Sequence, residues 1–389
     1  MTILIKNANV ITPFEMLKGL NVLVEGDKIA GFVPKGDPAE KACDKVIDAG
    51  GNYLAPGLID IHNHGNFGHD TMEGTYEALD SMAEQHFMHG VTSFLATTMT
   101  TDLGLIEGAL RTIGRYVHDA QHKRAGKANV LGVYLEGPYF SEEKKGAQPA
   151  EHLRVPNLDE LKGFLATSQN TIKVVSLAPE LAGAEEAIKY LKNRGITVAA
   201  GHTTATFAVA KTAINAGVTL ATHLYNGMRN FSHREPGIIG AALTDERVYC
   251  ELICDGIHLH AGAMDLAVAA KGRDKIVLIT DAMMAAGLED GLYELGGYDV
   301  TVKEGTARLA DGTLAGSTLT LNRAVRNLVD LVNVPLADAI RMASLNPAQA
   351  IGAADRKGSI EVGKDADLVI FDQQLNALQT MIAGQITEL

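Results

Sequence analysis

Six side chains able to bind a divalent cation are spread through this sequence: His62, His64, Glu136, His202, His223 and Asp281. An N/O ligand set of this kind suits zinc, iron or manganese, and a cation so held lowers the pKa of bound water to about 7 and can polarise a carbonyl. The His62/His64 pair brings both rings to one face if it lies on an extended strand, as a shared ion requires. Each residue has a plainer reading when taken alone. The chain has 13 histidines, so a close pair arises by chance, and a single His202 or His223 is more often a hydrogen-bonded structural residue. Glu136 in LEGP and Asp281 in ITDA could simply cap a following turn. Where all six fall relative to the elements that carry them separates the readings.

Those elements alternate between two periods. Short apolar or β-branched runs at 55–61, 91–97, 129–135, 172–178, 196–201, 218–222, 248–254 and 275–280 predict eight strands. Amphipathic stretches at 75–89, 102–118, 158–167, 184–193, 206–215 and 261–271 predict helices; in the first, Leu79, Met82, Ala83 and Phe87 share a face ahead of a stop at Gly90. The connection before the seventh strand, REPGIIGAALTDE, is less clearly helical. Repeated βα units predict a parallel sheet, and eight of them a TIM-like (β/α)8 barrel, whose chemistry sits at the C-terminal ends of the strands. His62 and His64 follow the first strand, Glu136 the third, His202 the fifth, His223 the sixth and Asp281 the eighth. Loop scatter does not predict that placement, so a metal site on this rim is expected. His86, His89, His118 and His122 fall in or just beyond helices and read as structural or solvated, while His69 and His260 stay undecided.

After the eighth strand, the Gly-rich YELGGYDVTVKEGTARLADGTLAGS predicts hairpins before a helix at 319–332. A last helical region at 336–350 is expected to break at Pro347. Residues 2–11, 20–33 and 358–372 read as strands, with a Gly26-Asp27 turn, which predicts a small β-sandwich domain built from both termini. The expected division is 1–54 plus 357–389 for that domain and 55–356 for the barrel.

A chain of 389 residues with 46% hydrophobic content can bury a large core. Its net charge of −13 argues against nucleic acid or an anionic membrane as a partner, although a few local cations could still hold an anionic small molecule. Cys43, Cys250 and Cys254 are too few and odd in number for a disulfide framework, and Cys250 and Cys254 read as packing beside Leu252. No run approaches a membrane span and MTILIKNANVITPF lacks the pattern of a signal peptide, so a cytoplasmic location is expected.

The motifs PGLIDIHNHG, LEGPY, GHTTA, THLYNGM, HREPG, DGIH, ITDA, LAGS and GKDADLVIFD resemble the amidohydrolase superfamily over essentially the whole chain. The middle motifs resemble, more narrowly, its N-acetylglucosamine-6-phosphate deacetylase group. Many binuclear relatives bridge their metals with a carboxylated lysine ending the fourth strand. Here that strand ends VVSLAPE, with Lys173 at its opposite end, so the bridge would be Glu136. The resemblance implies hydrolysis of the acetamide of N-acetyl-D-glucosamine 6-phosphate to D-glucosamine 6-phosphate and acetate. It implies one ion on Glu136, His202 and His223 and, because His62 and His64 are present, a second held with help from Asp281. Zinc leads iron and manganese as the metal.

By the same resemblance Asp281 and His258 are catalytic, Asp281 moving the proton from water to the departing amine and His258 hydrogen-bonding the acyl oxygen or sugar. Ala147, Asn226, Gly227, Asp255, Leu314, Ala315, Gly316 and Ser317 would bind the sugar phosphate. Arg234 would reach the phosphate across a homodimer interface. Gln148 departs from relatives that carry His there, which leaves its role undefined. Two rivals remain: a deaminase or cyclic-amide hydrolase, which should lack HREPG and LYNGM, and a non-enzymatic assembly protein, which has no need of an intact ligand set.

Overall fold

The computed structural model describes residues 1–37, 40, 42–119 and 126–388. His122 lies outside the described residues. Eight strands carry the site: β1 (Leu58–Asn63), β2 (Val91–Thr97), β3 (Asn129–Glu136), β4 (Ile172–Leu177), β5 (Thr197–Ala200), β6 (Val218–Ala221), β7 (Tyr249–Ile253) and β8 (Ile276–Ile279). Each pairs with the next in parallel. A parallel bridge between Asn63 and Ala282, with the Asp281 N–H donating to the His62 carbonyl at 2.9 Å, joins the end of β8 to β1 and closes the ring. The strands are apolar along almost their whole length because helices cover them outside and side chains fill the barrel inside.

The covering helices are α1 (Tyr76–Met88), α2 (Leu103–His118), α3 (Leu158–Thr167), α4 (Ala184–Lys192), α5 (Phe207–Ala216), α6 (Gly237–Thr244), α7 (Ala261–Lys271) and α8 (Leu321–Val332). In α1 the Thr75 hydroxyl caps the Ala78 N–H, and Leu79, Met82, Ala83 and Phe87 are buried. The helix stops before Gly90, whose φ of +78° suits glycine and where a Cβ would meet the Phe371 ring at 2.8 Å. Helix α6 buries every residue from Gly237 to Leu243, so it has no polar face and gave only a weak periodic signal.

Two expected boundaries move. Residues Tyr53–Pro56 pair with Leu368–Phe371 in the small sheet, so the first barrel strand begins at Leu58 rather than at residue 55. The last helical region does split, but at Ser344, between α9 (Leu336–Met342) and α10 (Leu345–Ala350). Pro347 sits in the first turn of α10, where a missing N–H removes no helical hydrogen bond.

Both termini meet in two small sheets. One orders Lys28–Pro34, Leu20–Glu25, Thr2–Lys6 and Lys45–Asp48; the other runs from Gln385–Glu388 through Ala377–Ile382, Leu368–Phe371, Tyr53–Pro56 and Asn9–Ile11 to Met16–Leu17. Ile3, Val22, Leu54, Leu368 and Met381 form their shared core. The Gly-rich stretch after β8 is a three-stranded antiparallel sheet, Gly291–Leu295, Tyr298–Lys303 and Thr306–Arg308. Its Leu295, Val300 and Ala307 pack on Met99, Ala147 and Met283 at the barrel rim, so it walls one side of the mouth. Cys250 and Cys254 are buried in the barrel wall, where burial pushes the Cys250 thiol up to about 12. Among the described residues no helix is long and apolar enough to cross a membrane.

Candidate metal centre

Glu136, the last residue of β3, is the hub of the rim. Its Oε1 lies 3.2 Å from His202 Nε2, 3.3 Å from His223 Nε2 and 3.5 Å from His62 Nε2, while Oε2 lies 3.3 Å from His64 Nε2. Asp281 Oδ1 is 3.4 Å from both His62 Nε2 and His64 Nε2. The structure thus brings all six sequence-predicted groups together. Two trios share one member: His62, His64 and Glu136 on one side, Glu136, His202 and His223 on the other.

The spacing fits cations better than protons. His202 Nε2 and His223 Nε2 face each other at 3.1 Å, and buried His62 Nε2 has no hydrogen-bond partner. Ligands about 2.0–2.2 Å from a tetrahedral ion stand roughly 3.3–3.6 Å from one another, close to the separations seen here. The second ring nitrogens explain why these edges point inward. His202 Nδ1 is held by the Lys144 carbonyl at 2.9 Å, His223 Nδ1 by the Asn226 carbonyl at 3.0 Å, and His62 Nδ1 by Glu251 Oε2 at 3.0 Å. Such partners fix tautomer and ring orientation. Gln148 does the same for the hub: its Nε2 donates to Glu136 Oε2 at 2.7 Å, and its Oε1 accepts the Thr100 N–H at 2.9 Å.

Burial opposes charge on Glu136, but hydrogen bonds from His202, His223 and His64 outweigh it and hold the carboxyl well below the usual range. Burial likewise opposes charge on Asp281, and the neighbouring His62 and His64 overcome it, so its pKa is lowered. His62 loses by burial yet is raised to about 9 by Asp281 and Glu251, and His64 lies well above its usual value. These directions describe a pocket of negative potential, in which a bound cation would displace protons. His202, His223 and Asp281 all hold left-handed backbone, φ +46°, +30° and +48°, a strain of about 1–3 kcal/mol each that clusters at functional sites.

The centre lies in a cavity of about 390 Å³, walled by Ala147, Asn226, Gly227, His258, Leu314 and Gly316, among others. Gly227 must be glycine: its φ is +59° and a Cβ would come within 2.9 Å of His202 Nδ1. Asp255 stands behind the wall, its Oδ2 2.6 Å from His258 Nδ1 and its Oδ1 accepting the His258 backbone N–H at 2.7 Å. Ala315 and Ser317 are buried beside the wall; the Ser317 N–H donates to the Asp281 carbonyl at 2.8 Å and so steadies that residue's backbone. Arg234 is not brought in. It is exposed and does not line the cavity of its own chain.

Sequence reading missed Arg308 and Glu251 and left Gln148 without a role. Arg308, on the three-stranded sheet, is the one Lys or Arg lining the cavity among the described residues. Gln148 clamps the hub, and Glu251 is fully buried in β7. A glutamate inside the apolar run YCELI was the available signal for the last. Of the undecided histidines, His69 pairs with Glu73 at 3.3 Å and His260 caps α7. His86 is buried against Phe94.

A family model described as "Amidohydrolase family" matches residues 53–387. The chain is 42% identical over 385 residues to the N-acetylglucosamine-6-phosphate deacetylase of Bacillus subtilis (strain 168), covering 99% of this chain and 97% of that one. It is 45% identical over 342 residues to the N-acetylgalactosamine-6-phosphate deacetylase of Escherichia coli O157:H7, covering 88% and 89%. A solved mutant of N-acetyl-D-glucosamine-6-phosphate deacetylase from Mycobacterium smegmatis, in complex with N-acetyl-D-glucosamine-6-phosphate, matches with a TM-score of 0.91 at 32% identity, covering 99% and 98%. On the ligand-bearing barrel and these matches, the chain belongs to the amidohydrolase family, in the branch of the N-acetylglucosamine-6-phosphate deacetylases.

Proposed function

We propose that this chain hydrolyses the acetamide of N-acetyl-D-glucosamine 6-phosphate, yielding D-glucosamine 6-phosphate and acetate. The observation that carries the reading is the buried Glu136 carboxylate, shared by two pairs of histidines within a cavity large enough for one sugar phosphate. The Bacillus subtilis relative and the Mycobacterium smegmatis complex, each named for that sugar phosphate, support it.

His62, His64, Glu136, His202, His223 and Asp281 would hold two divalent ions, zinc being our choice. Bound there, such ions supply an acidified water and a polarised carbonyl. The protein's own part is proton movement and orientation. Asp281 takes the proton from the attacking water as the C–O bond forms, then delivers it to the nitrogen as the C–N bond breaks. Asp255 takes the Nδ1 side of His258, which leaves Nε2 to meet the acyl oxygen or sugar. Asn226, Gly227 and the Leu314–Ser317 turn would form the sugar and phosphate walls, with Ala147 beside Ala315 of that turn. Arg234 would serve the neighbouring subunit of a homodimer, in keeping with its exposure here. The chain would divide into 1–54 plus 357–389 and 55–356, with the strand Tyr53–Pro56 crossing that boundary, and would work in the cytoplasm.

A second reading has one specific support, the relative named for N-acetylgalactosamine-6-phosphate. Comparing kcat/KM for the two 6-phosphates, which differ at one ring hydroxyl, tests the choice: preference for the gluco epimer is expected, and preference for the galacto epimer would replace the substrate.

A further inference from the structure

Glu251 takes no part in the chemistry above, yet it is fully buried between Cys250 and Leu252 on β7. Its Oε2 meets both His62 Nδ1 and the His223 backbone N–H at 3.0 Å. Its Oε1 is buried without a hydrogen-bond partner. The groups that face it are the His223 backbone at the end of β6 and, across the barrel interior, the His62 ring and Tyr134, whose ring lies 4.5 Å from that of His62 and whose hydroxyl is engaged with Thr222. Among the described residues no lysine or arginine pairs with it. Keeping a carboxylate there is costly unless positive charge lies close by.

The other ligand rings are held differently. His202 and His223 lean on neutral backbone carbonyls, of Lys144 and Asn226, and His64 Nδ1 is buried without a partner; His62 leans on a carboxylate. Glu136 and Asp281 carry two negative charges, enough to balance one divalent cation. Further negative charge favours a second cation, and Glu251 brings one unit to its His62 ligand.

We propose that Glu251 is the positioning residue for the second cation: it locks the His62 ring with Nε2 inward and supplies the charge that lets the His62/His64 side fill. The proposal rests on the two-ion reading of the centre. It makes Glu251 selective, with little effect on an ion bound by Glu136, His202 and His223.

Charge and geometry can be separated, because both donors land on the same oxygen. Glu251→Gln keeps one carbonyl oxygen able to accept both and removes only the charge. Metal-free protein is titrated with zinc alone against a chromophoric chelator, and zinc per chain is counted after dialysis. The wild type should bind two ions. Glu251→Gln should bind the first within about threefold of wild type and the second about 10–100-fold more weakly, the range for an orienting partner of a ligand. In a His62→Asn background, the same substitution should change nothing further. An unchanged second affinity, an equal weakening of both ions, or a Glu251→Gln protein that fails to fold where His62→Asn folds would each overturn the proposal. A wild type that binds fewer than two ions would instead bring down the two-ion reading beneath it.

Discussion

Replacing Gln148 by leucine isolates the clamp on the hub carboxylate. The side chain is buried and makes two hydrogen bonds, donating to Glu136 Oε2 at 2.7 Å and accepting the Thr100 N–H at 2.9 Å. Leucine fills similar space and can make neither. A hydrogen bond to a charged group is worth about 1.5–3 kcal/mol, and a stranded buried N–H costs about 1–3 kcal/mol. The metal-free protein should therefore lose roughly 2.5–6 kcal/mol of stability, read by urea unfolding. Zinc affinity should fall about 10–100-fold, because Oε2 faces His64 and a freed carboxylate no longer presents one oxygen to each trio. The assay is competition with a chromophoric chelator on the same preparation. Unchanged or tightened zinc binding would refute the reasoning, showing that the amide only withdraws charge from Oε2 and does not orient it.

Three other perturbations test separate parts of the account. Asp281→Asn should keep the ion on Glu136, His202 and His223 yet lose about 10²–10⁴-fold in kcat/KM, since the amide cannot take the proton; metal analysis beside the rate measurement checks both halves. Arg234→Ala should raise KM for the phosphorylated sugar about tenfold or more while leaving unphosphorylated N-acetylglucosamine unchanged, as loss of one charge-assisted contact predicts; equal losses on both sugars would remove it from the phosphate site. His86 is buried against Phe94 and its pKa is lowered by burial to about 3, so it stays neutral in the fold while the unfolded chain takes up a proton below about 6.5. Its contribution is intact above that pH and is lost as pH falls toward 3, about 2–3 kcal/mol by pH 4.5. His86→Leu should flatten that part of the urea-stability profile, and a slope equal to wild type would contradict it.

The sequence made the site legible because metal ligands on a barrel sit at strand ends, and strand ends can be counted from a two-period pattern. His62, His64, Glu136, His202, His223 and Asp281 converge as that rule requires. What stayed hidden depends on contacts far apart in sequence. Glu251 reaches His62 across 189 residues, and nothing local marks it except a charge within an apolar strand. Gln148 looked like a gap in a motif, and only the Thr100 and Glu136 distances reveal the clamp. Arg308 enters the cavity because a three-stranded insertion packs on the rim, a tertiary event with no periodic trace. The break before α10 falls at Ser344 rather than Pro347 because a proline in a first turn costs nothing.

The most direct test measures acetate release from N-acetylglucosamine 6-phosphate, with bound zinc per chain counted on the same sample before and after chelation. The account predicts brisk release with two ions bound, loss of activity as chelation empties the centre, and recovery when zinc is restored. A fully metallated protein that releases no acetate would leave the barrel and its ligand cluster standing and contradict the proposed reaction.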